Sequence, residues 1–189
     1  MDVREKLLKA AAEVYAESGY RGATTRRISH EAGVNEITLF RHFGSKDALL
    51  NQALHCCGLQ SALAELPHEP SDPERELTEW SRGFIDHMYR NRSMIRTCLG
   101  EVESHPEVIP NAGEGPAMAS RELCAYLLRL RARGMAGDHF DPGVAASMLM
   151  GAMFADAMGR DLMPEMYRYA AEEAPALYVK LFLRAIKDR

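Results

Sequence analysis

The chain is 189 residues long, 47% hydrophobic, 26% charged and 7% aromatic, a composition that excludes a disordered, collagen-like or disulfide-framework protein. At this length roughly 70% of the unfolded surface can be buried on folding, so neither metal nor disulfide is needed to stabilise a core. The 23 Lys and Arg against 27 Asp and Glu, formally −4, exclude a chain that is basic throughout and leave only a local basic face for a polyanionic partner.

Residues 3–17 place Val3, Leu7, Ala10, Ala11 and Val14 at spacings of three and four, which predicts an amphipathic helix with Gly19 as its left-handed cap. Thr24 and Thr25 offer an N-cap hydroxyl to a short helix through Ile28 to about Ala32, which Gly33 ends. Asn35 caps a second short helix, Glu36 to Phe43. Gly44 and Ser45 close it and open a longer helix carrying Leu49, Leu50, Ala53, Leu54 and Cys57. Two short helices about a glycine turn form the pattern of a helix-turn-helix. Pro- and Gly-rich stretches at 67–73, 105–116 and 134–143 read as loops. Between and after them fall helices at about 73–91 (Leu77, Trp80, Phe84, Met88), 93–104, 117–133 (Leu123, Tyr126, Leu127, Leu130), 143–160 and 173–187. The last carries a wide apolar stripe of Ala174, Leu177, Tyr178, Leu181, Phe182, Ala185 and Ile186. No alternating strand pattern, repeat or low-complexity tract appears, so the fold class expected is all-α, with about nine helices.

Winding residues 36–43 at about 100° each puts Leu39 and Phe43 on one side and Ile37, Thr38, Arg41 and His42 on the other. The first pair is expected to pack on Ile28, Ala32 and Val34 and so fix the angle of the helix. The second group suits a major groove, where hydroxyl and guanidinium groups reach base edges and Ile37 meets a thymine methyl. Thr24 and Thr25 at a helix N-terminus, with Arg26, Arg27 and Lys46, are the phosphate binders. Between residues 21 and 46, five basic side chains (Arg21, Arg26, Arg27, Arg41, Lys46) face two acidic ones (Glu31, Glu36), so this window carries +3 in a chain of −4.

The runs Thr24-Thr25, Ala32-Gly33-Val34, Thr38-Leu39-Phe40-Arg41-His42-Phe43 and Ser45-Lys46-Asp47-Ala48-Leu49-Leu50 resemble the DNA-binding domain of the TetR family of bacterial transcriptional regulators. The resemblance covers about residues 3–54; beyond them only length, helical content and helix order are similar. It implies a helix-turn-helix DNA-binding domain over residues 1–46 and a ligand-binding and dimerisation domain over residues 47–189. It also implies a homodimer on a palindromic double-stranded operator, acting as a repressor released by a small hydrophobic effector. Carried over by position, the DNA contacts fall on Thr25, Arg26, Glu36, Ile37, Thr38, Phe40, His42 and Lys46; Thr24, Arg27, Asn35 and Arg41 complete the candidate interface. Glu36 departs from the family, many members of which carry a neutral or basic residue there. Two roles stay open for it, accepting from a cytosine amino group or favouring the helix dipole.

Ser147, Gly151, Ala155 and Gly159 recur every four residues, a narrow face that another helix can approach closely. Packing within the chain competes with a subunit interface. The two-fold symmetry of an operator favours the interface, completed by Leu177, Leu181, Phe182 and Ala185 of the last helix. Asp156 stays open to a hydrogen bond across that interface or a contact with ligand. Ten of the eleven Met residues lie beyond the reading head. Flexible thioethers suit an adaptable pocket, giving a candidate effector site of Trp80, Phe84, His87, Met88, Met94, Cys98, Met118, Tyr126, Met150, Met153 and Phe154. The competing reading is that these residues fill a helical core.

No G-x-S-x-G, H-E-x-x-H or Gly-rich phosphate loop occurs, so no catalytic residue and no cofactor are expected, and an enzyme is not. His55, Cys56 and Cys57 diverge by about 100° per residue on a helix and cannot converge on one metal ion. Cys56, Cys57, Cys98 and Cys124 show no C-x-x-C and read as reduced thiols, which fits a cytoplasmic protein, as does a charged start (Met1-Asp2-Val3-Arg4-Glu5-Lys6) where a secretory signal needs an apolar run. The apolar stretch 143–159 contains Asp156 and falls short of the about 20 residues of a membrane span; no membrane is expected as partner. The alternative function is a helical small-molecule-binding protein or enzyme without operator binding, which would keep its activity when Thr38, His42 and Lys46 are replaced.

Overall fold

The computed structural model describes residues 1–56, 63–105 and 114–187; among them are nine α-helices, one 3-10 turn and no strand. Helix α1 (Val3–Gly22) opens on a reciprocal cap: Asp2 accepts the Glu5 amide and Glu5 accepts the Asp2 amide, so two donors that the helix cannot use are paired. Gly19 has the positive φ of a glycine stop, 65°, but its ψ of −173° is extended rather than that of the left-handed cap expected there, and helix resumes to Gly22, so α1 is kinked at Gly19 rather than ended there. Helix α2 (Thr25–Glu31) starts on the hydroxyl of Thr24, which accepts the Arg27 amide. It ends at Gly33, φ 68°, where the Val34 and Gly33 amides donate to the carbonyls of Ser29 and His30. Those bonds satisfy carbonyls that a helix end leaves bare. Helices α3 (Glu36–Phe43) and α4 (Lys46–Cys56) follow. Cys57, expected on the apolar stripe of α4, lies outside the described residues, as do residues 106–113 of the expected 105–116 loop.

The chain divides into two compact units. The first comprises α1–α4 with α6 (Arg92–Glu101). Its core joins Leu7, Ala11, Val14 and Tyr15 of α1, Ile28 of α2, Leu39 and Phe43 of α3, and Leu49, Leu50, Ala53 and Leu54 of α4. Helices α4 and α6 both pack on α1, so this packing unit runs past residue 46, where the sequence divides the chain by function.

The second unit holds α5 (Pro73–Arg90), α7 (Glu114–Ala132), α8 (Pro142–Gly159), a 3-10 turn (Pro164–Met166) and α9 (Ala174–Ile186). Helix α7 begins at Glu114, so Pro116 lies in its first turn rather than in a loop, a position where the missing amide is not needed. Helix α5 packs on α8 and α9 and buries Leu77, Trp80, Phe84 and Met88. Its Glu76 accepts the hydroxyl of Tyr126 on α7 at 2.6 Å.

Asp156 on α8 is fully buried. Its Oδ1 accepts from Nε of Arg160 (2.6 Å) and the hydroxyl of Tyr89 (3.2 Å), and its Oδ2 from Nη2 of Arg160 (2.8 Å) and the hydroxyls of Tyr178 (2.8 Å) and Tyr169 (3.4 Å). Burial pushes its pKa upward, but the Arg160 and tyrosine hydrogen bonds and the Arg160 charge outweigh burial and hold it below the ordinary aspartate value. The bonds of Asp156 form a network within its own chain, a role that neither of the two left open for it included. Two further expectations change. Gly159, expected on the open small-residue face, is buried beneath Met163 and Tyr167. Phe182 points into the core with Val179 and Ile186, leaving the other face of α9 to Leu177 and Leu181.

Candidate nucleic-acid interface

Helix α3 divides its two faces as its periodicity requires. Leu39 and Phe43 are buried in one cluster with Ile28 and Ala32, and Val34 packs against it. On the opposite side Ile37 is 78% exposed and Phe40 47%, with Arg41 and His42 also exposed. Large apolar groups left in water beside a guanidinium and an imidazole mark a surface built for contact.

The polar residues around this face have partners that set its geometry. Asn35 accepts the amide and the hydroxyl of Thr38, each at 2.8 Å, so both residues serve the N-cap of α3. Thr25 donates its hydroxyl to Oε2 of Glu36 at 2.7 Å. This bond ties the first turn of α2 to the first turn of α3, a role for Glu36 that neither sequence reading included. Arg26 is exposed, and Arg27 pairs with Glu17 at 2.7 Å on the surface, where such pairs contribute little. Lys46 is half-buried; its Nζ donates to the Tyr20 carbonyl at 2.7 Å and lies 3.5 Å from the centre of the Tyr20 ring. Burial lowers its pKa, while the charges of Asp47 and Glu101 oppose that shift.

All the candidate DNA-contacting residues therefore lie in the first unit, about the starts of α2 and α4 and along α3. Sequence reasoning missed Tyr20, whose hydroxyl donates to Asp47 at 2.6 Å and whose amide donates to Glu101. Nothing in the local pattern marks it, because Glu101 is distant in sequence.

The expected effector set divides between the two units. Met94 and Cys98 pack against the core of the first unit. In the second unit Trp80, Phe84, Met88, Tyr126 and Met153 are buried. His87 is buried too, and burial, with Arg90 nearby, lowers its pKa. Met150 and Phe154 are half-buried. A cleft of about 470 Å³ in that unit lies between residues 63–68 and α7, and Met118 is the member of the expected set on its wall.

A compact helical unit with a capped two-helix turn and an exposed, mixed apolar and basic second helix defines a helix-turn-helix DNA-binding regulator. Residues 7–53 match the family model for bacterial regulatory proteins of the tetR family. The chain is similar to the HTH-type transcriptional regulator YvkB of Bacillus subtilis, 26% identical over 133 residues, 69% of each chain. It is also similar to the tetracycline repressor protein class C of Escherichia coli, 34% identical over 126 residues, which span 67% of this chain and about half (52%) of that one. A TetR-family transcriptional regulator from Mesorhizobium loti has the same fold, with a TM-score of 0.77 at 20% identity over 98% of this chain and 97% of its own. Residues 7–53 thus carry the DNA-binding domain of the tetR family of bacterial regulatory proteins, and the rest of the chain shares the helical fold of such regulators. Among the described residues no helix is long and apolar enough to cross a membrane.

Proposed function

We propose that this regulator is a cytoplasmic homodimeric repressor that binds a palindromic operator and is released by a small hydrophobic effector. The observation that carries the DNA-binding part is the exposed face of α3. Ile37, Thr38, Phe40, Arg41 and His42 would meet base edges, while Thr24, Thr25, Arg26, Arg27 and Lys46 hold phosphates. The ammonium of Lys46 has three donors, and its bond to Tyr20 engages one.

A second copy is supported by two stripes in the second unit. Ser147, Gly151 and Ala155, with Val144 and Met148, are exposed on α8; Leu177, Leu181 and Ala185 are exposed on α9. Apolar stripes on two helices that pack together suit a self-complementary interface. The effector reading is supported by Trp80 Nε1 and Ser81 Oγ, which are fully buried with no protein partner among the described residues. A buried donor left bare costs about 1–3 kcal/mol, which a ligand carrying an acceptor would recover.

The test is selection of duplexes from a random pool by the full-length protein at physiological salt. The expected product is a short palindrome, lost in the Thr38→Ala/His42→Ala variant. Enrichment of no sequence by the wild-type protein refutes operator binding and brings forward a ligand-binding protein or enzyme.

A further inference from the structure

A helix broken at one residue strands a donor and an acceptor that its ladder would otherwise join. Gly19, at φ 65° and ψ −173°, breaks α1 in this way, and α6 supplies both missing partners. The Tyr20 amide donates to the carboxylate of Glu101, 3.0 Å from each oxygen. Four residues back, the Ala16 carbonyl accepts from the hydroxyls of Ser93 (3.2 Å) and Thr97 (3.3 Å). Ser93, Thr97 and Glu101 recur every four residues and share one face of α6. Position 19 favours glycine for its positive φ, and a Cβ there would push the Glu101 carboxylate from its place.

The other side of Tyr20 is held from α4. Lys46 donates to its carbonyl and sits over its ring, and its hydroxyl donates to Asp47. His105 lies against the same ring, with centroids 4.3 Å apart. One residue is thus gripped by its amide from α6 and by its carbonyl, ring and hydroxyl from the start of α4, just before Thr24 caps α2.

We propose that Glu101 is a positioning residue for DNA binding. By accepting the Tyr20 amide it fixes the carbonyl and ring that orient the Lys46 ammonium, and it thereby sets the path of the chain into the reading head. It acts through Tyr20 and Lys46 and touches no DNA itself; the proposal rests on the operator-binding reading above.

The test is a double-mutant cycle on the full-length protein. Affinity is measured by fluorescence anisotropy on the duplex recovered from the random pool, and each variant is also melted. Glu101→Ala is expected to weaken binding about tenfold, the size of a lost charge-assisted hydrogen bond. Glu101→Gln, whose amide oxygen still accepts from Tyr20, weakens it by less. In a Lys46→Ala background Glu101→Ala weakens it by less than about twofold, because the effect runs through the lysine. A role confined to stability shifts the melting temperature while the two losses multiply. Multiplied losses, or wild-type affinity in Glu101→Ala, overturn the proposal. Should Glu101→Ala fail to fold, the same cycle with Glu101→Gln decides, and its losses multiplying overturns the proposal equally. A wild-type protein that binds no duplex instead overturns the operator-binding reading, so the two failures are distinct.

Discussion

Replacing Asp156 with Ala probes the most heavily bonded buried charge in the second unit. The carboxylate is fully buried and receives two bonds from Arg160 and one from each of three tyrosines, while the Arg160 side chain is only 18% exposed. Removing one partner of a buried pair leaves the other charge uncompensated, at a cost of about 3–5 kcal/mol. In a chain of this length each kcal/mol lowers the melting temperature by about 2–4 °C, so the expected drop is about 6–20 °C. It is read by circular dichroism at fixed protein concentration, because a dimer's stability depends on concentration. The Asp156→Ala/Arg160→Leu variant removes both charges and is expected to recover part of the loss, since no ion is then left buried alone. A single variant that melts within about 2 °C of the wild type, or a double variant whose losses simply add, would refute the view that this pair is a compensated buried charge.

Acidification should act on the same unit. The pKa values of Asp156 and Glu76 both lie below their ordinary values, since hydrogen bonds outweigh the upward push of burial. Their contribution is therefore complete above the unfolded-state pKa of about 4 and is lost as pH falls through the depressed folded values, so the denaturation midpoint should hold from pH 7 to 5 and fall below about 4; a midpoint that rises on acidification contradicts the assignment. Leu181→Glu changes a residue 70% exposed on α9 and should convert the dimer to monomers in sedimentation with its circular dichroism intact, whereas a dimer that survives places the interface elsewhere. Asn35→Ala removes both acceptor bonds of the α3 cap and should cost about 1 kcal/mol of stability, together with weaker binding to all duplexes alike; a selective loss for one base would make Asn35 a reader rather than a cap.

What was legible in the sequence is what local chemistry decides. Asn35, Thr24 and Gly33 start and stop helices through bonds to residues within a few positions, and the spacing of Leu39 and Phe43 predicts their burial against Ile28. What was not legible depends on distant partners. A glycine at this spacing ordinarily ends a helix in the left-handed conformation; Gly19 instead pairs its positive φ with an extended ψ, helix resumes after it, and α6 satisfies the groups that the break exposes. Periodicity shows which residues of α9 share a face but not which face turns inward, and so it groups Phe182 with Leu181, although Phe182 is buried with Val179 and Ile186. The every-fourth-residue stripe of α8 likewise runs through Gly159 by sequence, and the chain returns through Met163 and Tyr167 to cover that end.

The hydroxyls about the reading head show how affinity and specificity can be divided among so few residues. Thr24 caps α2, Thr38 bonds to Asn35 and Thr25 bonds to Glu36, so each is oriented before any duplex arrives. Binding then immobilises fewer side chains, and less of the interaction is spent on ordering. In the proposed complex Thr38 would read from this fixed position beside the exposed Ile37, Phe40, Arg41 and His42. Glu36 accepts from Thr25 and so ties α3 to α2, a route by which an acid would serve a DNA surface without itself approaching a phosphate.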